Sequence, residues 1–263
     1  MVGVDYVAAN RLAWNDAAPK HAESQYQKLL DSFAQPGYSY LAPFEQERLL
    51  TLGIEGKAIA QLCCNNGREL LSLKNLGAGR CVGFDLSEGF IEQARGLACA
   101  GGIACEFVGC NVYEIPADYD GAFDLVYITI GAMCWLEDLT ACFAVVARLL
   151  RPGGQVFVYE MHPFLDMLEF DKNDPLHICH SYFKDDPFVD TSGLDYWTDS
   201  TYESAPCYSF HHKLSDIFGA VLGNGLAIRA FDEYAHDISN VFAHLEPLAI
   251  KPPLCYILLG HKQ

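Results

Sequence analysis

The chain has 263 residues, half of them hydrophobic and 13% aromatic, enough apolar material for one α/β domain with added elements and too much for a disordered chain. The formal charge of −17, with 34 acidic against 17 basic residues and no Lys/Arg cluster, argues against nucleic acid and anionic membranes as partners. The eleven cysteines are odd in number, irregularly spaced and without a C-x-x-C pair. They read as reduced core thiols of a cytoplasmic protein rather than as staples or metal ligands.

No stretch approaches the roughly 20 apolar residues of a membrane helix, and Met1–Asp5 lacks the basic and apolar regions of a signal peptide. Residues 5–33 read as one or two helices broken at Pro19, Gln35–Tyr38 as a turn, and Ala42–Leu52 as a short helix. A regular alternation follows. Lys57–Cys63 is a strand, Arg68–Leu76 a helix closed by Gly77, Cys81–Asp85 a strand, and Glu88–Ala100 a helix with Ser87 as N-cap. Ile103–Val108 and Phe123–Ile128 are strands, Leu136–Leu150 is a helix, Pro152-Gly153-Gly154 a turn and Gln155–Met161 a fifth strand.

Pro163–Tyr208 breaks the rhythm, being rich in Asp, His and aromatic residues without a clear period. Ser209–Leu222 reads as a helix, and Leu226–Phe231 and Leu254–Gly260 as the last two strands. The expected fold is a single α/β domain over residues 1–263, with a parallel sheet between two helical layers. Residues 1–52 form an N-terminal helical cap, 57–161 the ligand-binding core, 163–208 an insertion and 209–263 the closing elements. An insertion after the fifth strand lies at the carboxyl end of the sheet, where ligands bind, so it is expected to act as a lid.

The loop from the first strand to its helix, Gln61-Leu62-Cys63-Cys64-Asn65-Asn66-Gly67, suits a tight turn because Asn and Gly accept left-handed backbone. Asp85 ends the second strand 18 residues after Gly67. A carboxylate there accepts from both hydroxyls of a ribose; capping the next helix is its alternative role. A dinucleotide site needs glycines at three positions that here hold Cys63, Asn65 and Arg68, so a nicotinamide enzyme is disfavoured.

On these residues, residues 57–161 resemble the class I S-adenosylmethionine-dependent methyltransferases. The family's acidic residue and G-x-G-x-G fall on Gln61, Cys63, Asn65 and Gly67, of which only the last is glycine. The loop, Ile130–Leu136 and Glu160–Pro163 are also similar to an unassigned bacterial small-molecule branch. The resemblance implies a Rossmann-like, seven-stranded, mostly parallel sheet whose last strand runs antiparallel between the fifth and sixth. It implies S-adenosyl-L-methionine as cofactor, with contacts from Gln61, Cys63, Asn65, Gly67, Asp85, Leu86 and Ile130. Asn111, five residues before Pro116, would accept from the adenine amino group, and the Val112 N–H would donate to the ring.

Methyl transfer depends mainly on alignment and exclusion of water, and a general base is needed only when the acceptor must lose a proton. His162, just past the fifth strand, is the candidate base, with a structural histidine at the turn as its alternative. Trp14, Tyr26, Tyr196 and His211 are candidate contacts to a small-molecule acceptor. No metal site is expected, and the assembly is expected to be a monomer or a homodimer. A cofactor-binding protein without activity is the competing function.

Overall fold

Strands buried on both faces read as mostly apolar runs, and four such strands make the centre of the sheet. They are β1 (Ile59–Leu62), β2 (Cys81–Asp85), β4 (Phe123–Thr129) and β5 (Leu150–Met161), with β3 (Glu106–Gly109) at one edge. The computed structural model describes residues 3–169, 174–195 and 201–263. With β8 (Leu226–Tyr234) and β9 (Cys255–Lys262), the sheet order is β3-β2-β1-β4-β5-β9-β8. β9 is antiparallel to both neighbours, placed between β5 and β8 as the resemblance implies. The chain leaves β1 toward β2 on one side and returns to β4 on the other. A crevice therefore opens at the carboxyl ends of β1 and β4.

Two helical layers cover the sheet. α6 (Leu139–Leu149) and α7 (Leu214–Gly223) pack one face with Val126, Ile128, Val156 and Val158. α3 (Pro43–Thr51), α4 (Arg68–Asn75) and α5 (Glu88–Gly101) pack the other around Tyr127, Phe157 and Tyr159. Among the described residues no helix is long and apolar enough to cross a membrane, and no cluster of His, Cys, Asp or Glu could hold a metal.

Several boundaries differ from the sequence expectation. Pro19 does not break the N-terminal helix: α1 (Tyr6–His21) passes through it, and a π-helical turn at Ala22–Tyr26 leads into α2 (Gln27–Phe33). β3 begins at Glu106 because Ile103 closes α5, donating its N–H to the Ala98 carbonyl after left-handed Gly102. α6 begins at Leu139 because Asp138 caps it, accepting from the Ala141 N–H at 2.9 Å. Pro152-Gly153-Gly154 does not separate two elements but bulges within β5, whose register against β4 jumps from Leu150 to Gln155.

The expected helix at Ser209 starts only at Leu214. Residues 207–209 instead form β7 (Cys207–Ser209), paired antiparallel with β6 (Phe188–Asp190). This hairpin is tied to the cap. The Asn10 side chain donates to the Tyr208 carbonyl at 2.9 Å and accepts from the Tyr208 N–H at 2.7 Å. His21 Nε2 lies 2.7 Å from the Leu194 carbonyl. The first helix is thus joined to Leu194 and Tyr208, and both Asn10 and Leu194 line the crevice at this end of the sheet.

Candidate active site

The loop after β1 keeps the backbone of a glycine-rich turn without its glycines. Cys63, Asn65 and Gly67 take φ values of 52°, 50° and 73°. A left-handed conformation costs a non-glycine residue about 1–2 kcal/mol, least for Asn. Asn65 recovers part of that, since its side-chain oxygen accepts from the Asn66 N–H at 2.8 Å. At Gly67 no such exchange is available: a Cβ would sit 2.4 Å from the Phe107 ring. Asp85 braces the loop from β2, accepting from the Asn65 N–H at 2.7 Å and from the Ser87 N–H at 2.9 Å.

Above this loop lies a cavity of about 660 Å³. Of the sequence candidates, Gln61, Cys63, Asn65, Asp85, Leu86, Asn111, Val112, Ile130 and Trp14 line it. The Asn111 oxygen also accepts from the Tyr113 N–H at 3.2 Å. Gln61 is 1% exposed, and neither its Nε2 nor its Oε1 has a hydrogen-bond partner. An unpaired buried amide costs about 1–3 kcal/mol per group, so this position calls for a polar ligand.

Other candidates lie elsewhere. Gly67 does not line the cavity; its place is the cap of α4. Tyr26 packs on α5 and donates its hydroxyl to the Gln93 carbonyl at 3.2 Å. His162 is off the cavity: its Nδ1 accepts from the Phe164 N–H at 3.1 Å, and its Nε2 lies 2.9 Å from a Glu233 carboxylate oxygen. His211 is buried between Asp166, 2.8 Å from its Nδ1, and the Tyr182 carbonyl, 2.9 Å from its Nε2. Both histidines hold backbone segments together. Tyr196 lies outside the described residues.

The structure adds residues that the sequence did not single out. Arg68 and Glu69 open α4 and line the cavity, paired at 2.8 Å, with the guanidinium 4.5 Å from the Tyr40 ring centroid. Glu45 reaches the cavity from α3 and accepts the Tyr127 hydroxyl. Tyr159, Met161 and the segment His236–Val241 form the wall on the β5 side. Glu160 lies beneath, its carboxylate accepting from the N–H groups of Gly131, Ala132, Met133 and Met161. A charge at the end of the apolar run Val156–Tyr159 was a readable signal for Glu160. Nothing in the sequence pairs Glu45 with a strand 82 positions away.

Burial pushes Asp85 up to about 6 and Glu45 and Glu160 up to about 7, against the backbone N–H groups at Asp85 and Glu160 and the Tyr127 hydroxyl at Glu45. Such acids bind their protons more tightly folded than unfolded. Their contribution favours the fold at low pH and is lost as pH rises through 6 and 7. Burial lowers His21, His162 and His212, which opposes this only below the ordinary histidine range near 6.5. Between pH 6.5 and 8 the histidine effect fades while Glu45 and Glu160 are still losing their protons. The ligand-free melting temperature is therefore expected to fall across that window, with a shallower fall in Glu45→Gln. Thermal scans at fixed ionic strength check both; a flat or rising profile counts against buried carboxyls.

Residues 59–154 match a family described as a methyltransferase domain. The tRNA U34 carboxymethyltransferase of Campylobacter hominis is 28% identical over 165 residues, covering 62% of this chain and 53% of that protein. The malonyl-[acyl-carrier protein] O-methyltransferase of Hahella chejuensis is 34% identical over 137 residues, covering 49% and 48%. The chain thus spans about half the length of these relatives. Among solved structures, the geranyl diphosphate C-methyltransferase of Streptomyces coelicolor superposes with a TM-score of 0.63 over all of both chains at 12% identity, a likeness of fold.

Proposed function

From the premise that this chain carries a class I S-adenosylmethionine-dependent methyltransferase domain, we propose that it methylates a small-molecule acceptor bound in the same cavity. The observation that carries this is the pairing of the Asp85 carboxylate with the unpartnered Gln61 amide, both in one cavity at the carboxyl ends of β1 and β2. Asp85 has unused lone pairs for two ribose hydroxyls. Leu86 and Val112 offer apolar contact to a purine, and Asn111 an amide. Gln61 and Glu69 suit the ammonium of an aminoacyl group, and Arg68 its carboxylate. S-adenosylmethionine supplies, when bound, a methyl on a sulfonium whose departure leaves a neutral thioether.

A small acceptor fits the charge better than RNA does. Carboxyls line the cavity at Glu45, Glu69, Asp85 and Asp237, with Arg68 the one basic side chain among the described lining residues besides His236. A polyanion would meet this field and a chain of net charge −17.

Calorimetry with S-adenosylmethionine and S-adenosylhomocysteine is the first test; no binding near 100 μM, the range of weak metabolite sites, sinks the proposal. Binding without methyl transfer to any small acceptor supports the inactive-binder alternative instead. Gln61→Leu is expected to weaken cofactor binding about tenfold, one hydrogen bond to a charged group. Its ligand-free melting temperature should hold or rise, because an unpaired amide is removed. A fall in both would make Gln61 a structural residue.

A further inference from the structure

With His162 and His211 held by other partners off the cavity, His236 and Tyr159 are a histidine–tyrosine pair that faces it. The two meet from different elements: Tyr159 projects from β5, and His236 follows β8 in the segment that crosses the carboxyl end of β5 and the amino end of β9. His236 Nε2 lies 2.8 Å from the Tyr159 hydroxyl and 3.5 Å from Cys255 Sγ. The imidazole packs edge-on against Phe44, centroids 4.8 Å apart, and tilted over Tyr234 at 5.4 Å.

Its backbone is fixed as well. The Asp237 N–H donates to Glu246 at 2.6 Å, and the Asp237 carboxylate accepts from the N–H and hydroxyl of Ser239 at 3.2 and 2.9 Å. Such bracing holds one ring in one place. A hydrophobic chamber around it is completed by Met161 and Ile238.

We infer that Tyr159 and His236 form a proton relay for the acceptor, and that the acceptor's reacting group is a hydroxyl on an apolar or aromatic body. The inference rests on the proposed methyltransferase activity. The acceptor O–H donates to the Tyr159 oxygen, and the Tyr159 O–H donates to His236 Nε2. As the acceptor oxygen's lone pair forms the new C–O bond, the C–S bond breaks and its electron pair returns to sulfur. The acceptor proton passes to Tyr159 and the tyrosine proton to Nε2. The positive charge lost at sulfur reappears on the imidazolium, which sheds its proton to solvent. Cys255 stays a neutral thiol, since burial raises it to about 12. Burial likewise raises Tyr159, so it relays a proton rather than resting as a phenolate. The groups facing His236 are Tyr159, Cys255, Tyr234, Asp237, Glu246 and, beyond Tyr159, Glu45.

The test uses the full chain with S-adenosylmethionine and matched acceptor pairs: phenol with aniline, and 4-propylphenol with 4-propylaniline. The phenols are expected to be methylated at least tenfold faster than their amines. His236→Asn should lower kcat/KM for the phenols about a hundredfold, with cofactor affinity unchanged. Tyr159→Phe should do the same in kcat. Nitrogen-15 spectra of the complex with S-adenosylhomocysteine give a readout that needs no turnover. The Nε2 resonance of His236 should move in Tyr159→Phe, because the Tyr159 hydroxyl is its hydrogen-bond partner. An Nε2 resonance unmoved in Tyr159→Phe, amines reacting as fast as phenols, or no turnover with cofactor bound overturns the relay. Failure to bind either cofactor form overturns the methyltransferase proposal itself.

Discussion

Replacing Asp85 with alanine is expected to cost several hundredfold in S-adenosylmethionine affinity, measured by calorimetry at pH 8. The carboxylate would accept two ribose hydroxyls, and each hydrogen bond to a charged acceptor contributes about 1.5–3 kcal/mol. The same carboxylate holds the Asn65 and Ser87 N–H groups, so part of the loss belongs to the loop. Asp85→Asn separates the two contributions. Its remaining carbonyl oxygen can keep one backbone bond while the charge is gone, so affinity should fall at least tenfold with a smaller change in melting temperature. Because burial lifts Asp85 to about 6, affinity in the unsubstituted chain should also weaken as pH drops from 7 to 5. Equal affinities for Asp85→Ala and the parent would show that the ribose contact is absent.

Removing the Glu160 carboxylate should damage the fold more than the chemistry. Four backbone N–H groups, from Gly131, Ala132, Met133 and Met161, converge on it beneath the cavity. In Glu160→Ala they lose their acceptor, at about 1–3 kcal/mol for each one left buried and unpaired. A total of about 3–5 kcal/mol is expected, because some will reach water. For a chain of this length that lowers the melting temperature by roughly 10 °C or more. Glu160→Gln keeps one oxygen and should fall between. Calorimetric melting decides it: a shift under about 2 °C in Glu160→Ala would mean that the Ile130–Leu136 turn does not depend on this carboxylate.

The two substitutions also show where sequence and structure divide the information. Asp85 was legible because the strand signal before it and the loop before that fix its position at a strand tip. Glu160 stood out as a charge at the end of an apolar strand, but its partners Gly131, Ala132 and Met133, some 28 positions upstream, were not visible. Two helix starts were misplaced: the Asp138 cap delays α6, and strand pairing in β7 withdraws Ser209 from the helix expected there. Pairing in β6–β7 is non-local, so no local period announces it.

The sequence by itself determined the alternation of strands and helices, the crevice that this alternation implies, and the residues at the tips of β1, β2 and β4. These follow from hydrophobic period and chain order, which are local properties. The tertiary structure alone decided which histidine faces the cavity. His162 is nearer in sequence to the expected site, yet Glu233 and the Phe164 N–H hold it away. His236 lies 77 residues from Tyr159 and reaches it because β8 and β9 fold back beside β5. The loop at Cys63–Gly67 divides the same way. Sequence showed that its glycines are missing, and the structure showed that the left-handed backbone persists without them. The hydrogen bonds that the Asp85 carboxylate and the Asn65 side-chain oxygen accept hold that conformation where glycine would have adopted it freely.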